Sequence, residues 1–289
     1  MHTKEVSGIL SASCGINVYR GCTHGCIYCD ARSRCYAMTH EFEDVEIKIN
    51  APEVLDDALR RKRKPCMVGT GSMSDPYNHY EEEFKITRKC LEVIEQNGCG
   101  VALQTKSSRI LRDLDILKQI NEKTKCVVEM TLTTFDEELC RIIEPNVSST
   151  KERFDTLEIM RDNGIPTVVW FDPVLPFIND TEENLRGIMD YCIRARVKGI
   201  ICGGMGVTLR EGDREYFYEA LDRSFPKMKE RYIKTYANDY EVMSPNNGAL
   251  MKIFRSLCKE NGIMSDMYEV FSYMREFEDK MSEAQTSLF

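Results

Sequence analysis

The chain has 289 residues, 42% hydrophobic and 30% charged, a mixture that can bury a sizeable core and excludes a disordered, collagen-like or low-complexity protein. The formal net charge of −8 makes the surface as a whole repel polyanions, so nonspecific coating of nucleic acid is excluded. The longest apolar runs, such as 168–171 and 199–202, fall far short of the roughly 20 residues a membrane span needs, and the start MHTKEVSGIL lacks the basic end, long apolar run and cleavage site of a signal peptide. The expectation is a cytoplasmic protein without a membrane partner.

In chain order, short apolar runs rich in β-branched residues alternate with longer stretches of helical period, the signature of βα units on a parallel sheet. Strands are expected at 15–19, 66–71, 100–105, 126–133, 166–172 and 199–205. Helices are expected at 52–64, 82–97, 110–122, 151–163, 181–197 and 211–223. Gly98 and Gly164 sit just past helix ends, where a left-handed residue closes the last turn. Asp180 or Thr181 can cap the fifth helix, with Glu182 and Glu183 at its positive end. The run Arg60, Arg61, Lys62, Arg63, Lys64 reads as a solvated helix end complementing the dipole, or as a local basic patch.

After Pro226 the rhythm stops, and two amphipathic helices, 247–261 and 266–280, are expected across Gly262. No Gly-, Pro- or Ser-rich linker separates them from what precedes. The fold class expected is α/β, a partial (βα)6 TIM-type barrel over 1–226, with a C-terminal helical cap and flexible tail over 227–289 packed on the same domain.

Thirteen cysteines is an odd count in a chain built like an intracellular enzyme, which argues against a disulfide scaffold. Three of them form Cys22-Thr-His-Gly-Cys26-Ile-Tyr-Cys29, a C-x3-C-x2-C spacing in the loop after the first strand. Three close thiolates suit a soft metal or a cluster; a [4Fe-4S] cluster held by three leaves one iron open, whereas a closed zinc site needs a fourth ligand, from Cys35 or from His24. Merely buried thiols are the remaining alternative.

With an aromatic before the last cysteine, on the loop after strand one of a βα barrel, this motif resembles the radical S-adenosylmethionine (SAM) superfamily. The segments GINVYRGCTHGCIYCDAR, VGTGSMSDPYNHYE, LQTKSSRILRD and TLTTFDEELCRIIEPNVSSTKERFDTLEIMRDNGI further resemble its spore photoproduct lyase-like branch, over about residues 8–225. That resemblance implies Cys22, Cys26 and Cys29 as ligands of a [4Fe-4S] cluster whose open iron is chelated by SAM. It also implies reductive cleavage of SAM to methionine and a 5′-deoxyadenosyl radical, and an electron donor such as flavodoxin or ferredoxin.

The same resemblance places Tyr28 against the adenine, and Ser74 and Lys106 around the methionine moiety. Thr70, Gly71 and Ser72 form a small, polar strand end where backbone can approach a ligand's amino group. Glu129, Thr131 and Asp172 face the same mouth if strand alternation keeps register, and the C-terminal ends of parallel strands are where such barrels build sites. Asp75 before Pro76 reads as a site residue or as a turn initiator.

One departure bears on the substrate. The lyase's hydrogen-atom donor cysteine falls at Ser72 here, and a serine O–H is a poorer donor than a thiol; Cys66 or Cys140 are the substitutes to examine. The lyase's tyrosine after the last ligand is Asp30. The final Gln285-Thr-Ser-Leu288-Phe289 resembles the pentapeptide by which bacterial repair proteins bind the sliding clamp. The expected activity is thus radical SAM chemistry on damaged DNA bases; the alternatives are a radical enzyme modifying RNA, a peptide or a metabolite, and a non-catalytic metal-binding module.

Overall fold

The computed structural model describes residues 1–281; Gln285, Leu288 and Phe289, the clamp-like residues, lie outside the described residues. Six short strands build the central sheet: β1 Gly15–Ile16, β2 Met67–Thr70, β3 Gly100–Thr105, β4 Cys126–Thr131, β5 Thr167–Trp170 and β6 Gly199–Ile201. They pair in sequence order and all in parallel. Helices α1 Ala51–Arg60, α2 Ile86–Gln96, α3 Leu114–Lys123, α4 Thr150–Asp162, α5 Glu182–Ala195 and α6 Asp213–Ser224 alternate with them, followed by α7 Asn247–Glu260 and α8 Met267–Arg275.

Strand alternation sorts the core into two layers. Val68, Val101, Leu103, Val128, Met130, Val169 and Ile200 face the crossover helices. Met67, Ala102, Val127, Val168 and Ile201 face the other way, onto Val270 and Met274 of α8. Both faces are therefore buried, as the apolar runs require. The chain reaches α8 by extending the sheet edge: Ile200 N–H donates to Met264 O at 2.8 Å and Met264 N–H to Lys198 O at 3.1 Å.

The caps follow the local chemistry. Gly98 and Gly164 have φ of +62° and +72°, Thr181 rather than Asp180 caps α5, and Ser149 with Glu152 forms a capping box on α4. Asp180 instead accepts from Ser244 Oγ at 2.5 Å.

Four expectations are corrected. The run 15–19 divides: Tyr19–Arg20 leaves the main sheet to pair with Glu46–Lys48, itself beside His2–Lys4. Asn17 makes the break, accepting from Met73 N–H through its side chain and from Lys48 Nζ through its carbonyl. The helix expected at 82–97 is interrupted at Lys85, with φ +52°, because the buried Glu81 carboxylate turns back to accept from the N–H groups of Thr87 and Arg88. An unforeseen helix, Glu137–Ile143, is capped by Asp136. Finally, 227–246 is not a gap in the rhythm: it holds the helix Met228–Tyr236 and the strand Glu241–Met243, which pairs antiparallel with Gly206–Thr208. Among the described residues, no helix is long and apolar enough to cross a membrane.

Candidate functional site

After β1 the chain turns through Gly21 and Gly25, with φ of +86° and +70°. A Cβ at Gly21 would run into the Phe42 carbonyl, so the turn requires glycine. The loop between is pinned at three points: Cys22 N–H donates to Phe42 O at 3.1 Å, Ile27 N–H to Ile143 O at 2.9 Å and Asn146 N–H to His24 O at 3.1 Å. This holds Cys22, Cys26 and Cys29 on one wall of a cavity of about 490 Å³ at the C-terminal ends of the strands.

The joint of the site is Asp75. Its carboxylate accepts from Thr105 Oγ1 (2.7 Å), Tyr77 N–H (2.8 Å) and Lys106 N–H (2.7 Å), and lies 3.4 Å from Nδ1 of the buried His24. It thus ties the cysteine loop to the ends of β2 and β3. The reading of Asp75 as a turn initiator also holds, since it accepts from Tyr77 two residues on. Ser74 Oγ donates to Gly21 O at 2.5 Å, fastening the same two loops.

Behind the thiols runs a buried polar chain. Tyr28 hydroxyl donates to Glu144, Glu144 pairs with Arg153 at 2.6 Å with both side chains fully buried, and Arg153 donates to Thr131 O at 2.8 Å and to Cys140 Sγ at 3.1 Å. Burial pushes Glu144 up, but Arg153 and Lys106 outweigh it and hold the carboxyl below its ordinary range.

Of the residues singled out from the sequence, Cys22, Cys26, Cys29, Tyr28, Gly71, Ser72, Ser74, Lys106, Thr131 and Asp172 line the cavity. Four do not. Thr70 ends β2 just below it. Glu129 is buried beneath, accepting from Trp170 Nε1–H at 2.6 Å. Cys140 sits behind Arg153, and Cys66 precedes β2 at the opposite end of the sheet, so neither donor substitute faces the cavity. Trp170, Gln104, Met73, Glu241 and Met243 line it and were not anticipated. The Glu241–Met243 wall comes from the segment after Pro226, where no sequence signal marked a strand.

Burial pushes all three thiols up, at Cys22 to about 12 with help from Asp75, while Lys106 opposes the rise at Cys26 and Cys29. Thiols in such a place release their protons to solvent when they ligate a cation. For Lys106, burial favours the neutral amine, but Cys26, Glu144, Asp75 and Cys29 together keep the ammonium above its ordinary value. Asp172 is raised by burial to about 6.

Residues 16–192 match the Radical SAM superfamily, more than half of the chain, and the chain belongs to that superfamily. It is similar to an uncharacterized protein of Mycobacterium tuberculosis, 29% identical over 76% of this chain and 66% of that one, and to one of Methanocaldococcus jannaschii, 32% identical over 58% and 62%. The chain thus spans just under two thirds of these curated relatives. Its fold is that of a spore photoproduct lyase variant bound to SAM and a dinucleoside spore photoproduct, with a TM-score of 0.64 at 14% identity over 87% of this chain and 75% of that one.

The superfamily's cofactors are a [4Fe-4S] cluster and SAM, and the residues present fit both. Among the described residues, one trio of His, Cys, Asp or Glu side chains has its ligand atoms within 4.8 Å of one another, and it is His2, His40 and Asp44. The three site thiols are not such a trio, so at least one pair of their sulfurs stands more than 4.8 Å apart. Thr131 Oγ1 and His24 Nε2, both in the cavity lining, are buried without a hydrogen-bond partner, as expected where a polar ligand completes the site.

Proposed function

We propose that the protein is a radical SAM enzyme on a partial (βα)6 barrel, acting in the cytoplasm with an external one-electron donor. The observation that carries this is the trio Cys22, Cys26 and Cys29 lining one cavity together with Lys106, Gly71 and Ser72. When bound, the cluster and SAM supply a 5′-deoxyadenosyl radical that abstracts a hydrogen atom from substrate. The chain's own residues hold and orient. Lys106 presents an ammonium to a carboxylate, and Thr131 Oγ1 supplies a free hydroxyl. Asp75 fixes the loops, and Tyr28, locked by Glu144, offers a rigid ring beside the ligand thiols.

Kinship of fold with spore photoproduct lyase supports a damaged DNA base as substrate. Two features of the cavity favour the second reading, RNA, a peptide or a metabolite, and the first of them favours its peptide and metabolite members over any nucleic acid. The lining carries Asp30, Asp75, Asp172 and Glu241 against the single ammonium of Lys106, which repels phosphodiesters. The thiols lining it are the three cluster cysteines, with Ser72 in the donor position.

Anaerobically reconstituted protein given SAM and a strong reductant should form 5′-deoxyadenosine, and Cys26→Ala should lose both bound iron and product. Zinc in place of iron in the wild type overturns the assignment. Ultraviolet-irradiated oligonucleotide then separates the two substrate readings: a change in product formation supports DNA, indifference the second.

A further inference from the structure

A second group of thiols lies at the other end of the sheet. Cys66 and Cys99 each stand one residue before a strand, and because Met67 is opposite Gly100 in parallel register the two cysteines are cross-strand neighbours. Gly100 N–H donates to Cys66 O at 3.0 Å. Adjacent strands run about 4.8 Å apart, inside the Cα separation of about 4.4 to 6.8 Å that a disulfide bridges. The Cys99 and Cys14 thiols lie close enough to Cys66 to push its thiol up, Lys62 lies near Cys14, and Cys99 Sγ donates to Asn97 O at 3.8 Å. Cys99 is 3% exposed, while Cys66 and Cys14 are half-buried and reachable. From Cys66 to Gly71 at the cavity is about 16 Å along the strand, so this group is separate from the cluster ligands.

Three thiols invite a metal, but Cys14, Cys66 and Cys99 do not close to within 4.8 Å of one another. Cys66 thus has both Cys99 and Cys14 as neighbouring thiols, an arrangement that suits exchange. The neighbouring Cys66 holds the Cys99 thiol below its ordinary range against its burial, with Lys62 in support.

We propose that Cys66 and Cys99 form a modification site that undergoes thiol–disulfide exchange with a small-molecule disulfide, Cys14 being a third thiol within reach of Cys66. Cys66, its proton taken by solvent, attacks the disulfide RSSR, forming Cys66–S–S–R and releasing RS⁻, which takes the Cys99 proton to leave as RSH. The Cys99 thiolate then attacks Cys66 Sγ and displaces a second RS⁻, which solvent protonates. Two protein sulfurs are oxidised, RSSR is reduced to two thiol equivalents, and the N-terminal ends of β2 and β3 become covalently joined.

The test treats cluster-loaded, full-length protein anaerobically with oxidised glutathione, followed by alkylation, digestion and mass spectrometry. A Cys66–Cys99 linked peptide, lighter by two hydrogens, should form at least about tenfold faster than any adduct at the core thiols Cys90, Cys126 or Cys192. Cys99→Ser should leave Cys66 as a glutathione adduct or linked to Cys14, and Cys66→Ala should abolish the link while the cluster's visible absorbance is retained. A wild type whose Cys66 and Cys99 stay reduced while other cysteines react, or a Cys99→Ser chain that gives the wild-type pattern at Cys66, overturns the proposal.

Discussion

Glu129 is a carboxylic acid buried under the site with a single polar partner, the Trp170 indole N–H at 2.6 Å. Burial pushes it up to about 7, and that hydrogen bond only partly offsets the rise. In the unfolded chain the group titrates near 4.5, so between about pH 4.5 and 7 the folded state holds a proton the unfolded state has lost. Its contribution to stability is complete below 4.5 and falls as pH rises through 7, by about 1.4 kcal/mol per pH unit at most. Glu129→Gln keeps an acceptor for Trp170 and removes the titration. Denaturant unfolding should show the variant gaining on the wild type between pH 5 and pH 8; a constant difference across that range would mean Glu129 is ionised in the folded protein.

At the scale of elements, the cysteine loop keeps its shape because neighbouring elements hold it, and the Glu144–Arg153 pair is the centre of that hold. Arg153 comes from α4 and Glu144 from the end of the helix Glu137–Ile143; they meet fully buried, and Tyr28 hangs on Glu144. Removing one partner strands a buried charge, at a cost of about 3–5 kcal/mol. Arg153→Met should therefore lower the denaturant midpoint strongly, whereas Arg153→Met with Glu144→Gln should recover much of the loss. If the double variant is as unstable as the sum of the singles, the pair is not coupled.

This pair also marks the limit of reading the chain as a string. The six strands and their helices were legible because apolar period and glycine stops are local signals, and the thiolate trio because its spacing is. Glu144 and Arg153 are nine residues apart in a stretch read as loop and helix surface, where nothing local distinguishes a buried ion pair from two solvated charges. The same holds for Glu241 and Met243, which reach the cavity only because their short strand finds Gly206–Thr208. Asp75 was half legible: Asp before Pro signals a turn, but its grip on Thr105 and Lys106 exists only once β2 and β3 are side by side.

For the molecule as a whole, the question is whether 227–289 folds with the sheet or beside it. The sole tryptophan is placed to answer. Trp170 ends β5, lines the cavity, donates to Glu129, and meets the Phe271 ring of α8 at 5.9 Å. Around it α8 covers one face of the sheet, with Val270 and Met274 buried on Val127, Val168 and Ile201. A Cβ on Gly199 would be 2.9 Å from Val270. Each fully buried side chain of this size contributes about 1.5–3 kcal/mol, so losing α8 removes several kcal/mol from a total that is typically about 5–15. We therefore expect one cooperative transition, with Trp170 fluorescence and far-ultraviolet circular dichroism coincident. Truncation after Ser265 should abolish that transition or leave the chain insoluble, and Val270→Ala should lower the midpoint by an intermediate amount. If fluorescence changes well before the dichroism, or the truncated chain unfolds at the wild-type midpoint, α8 is an appendage and the sheet face it covers is stable without it.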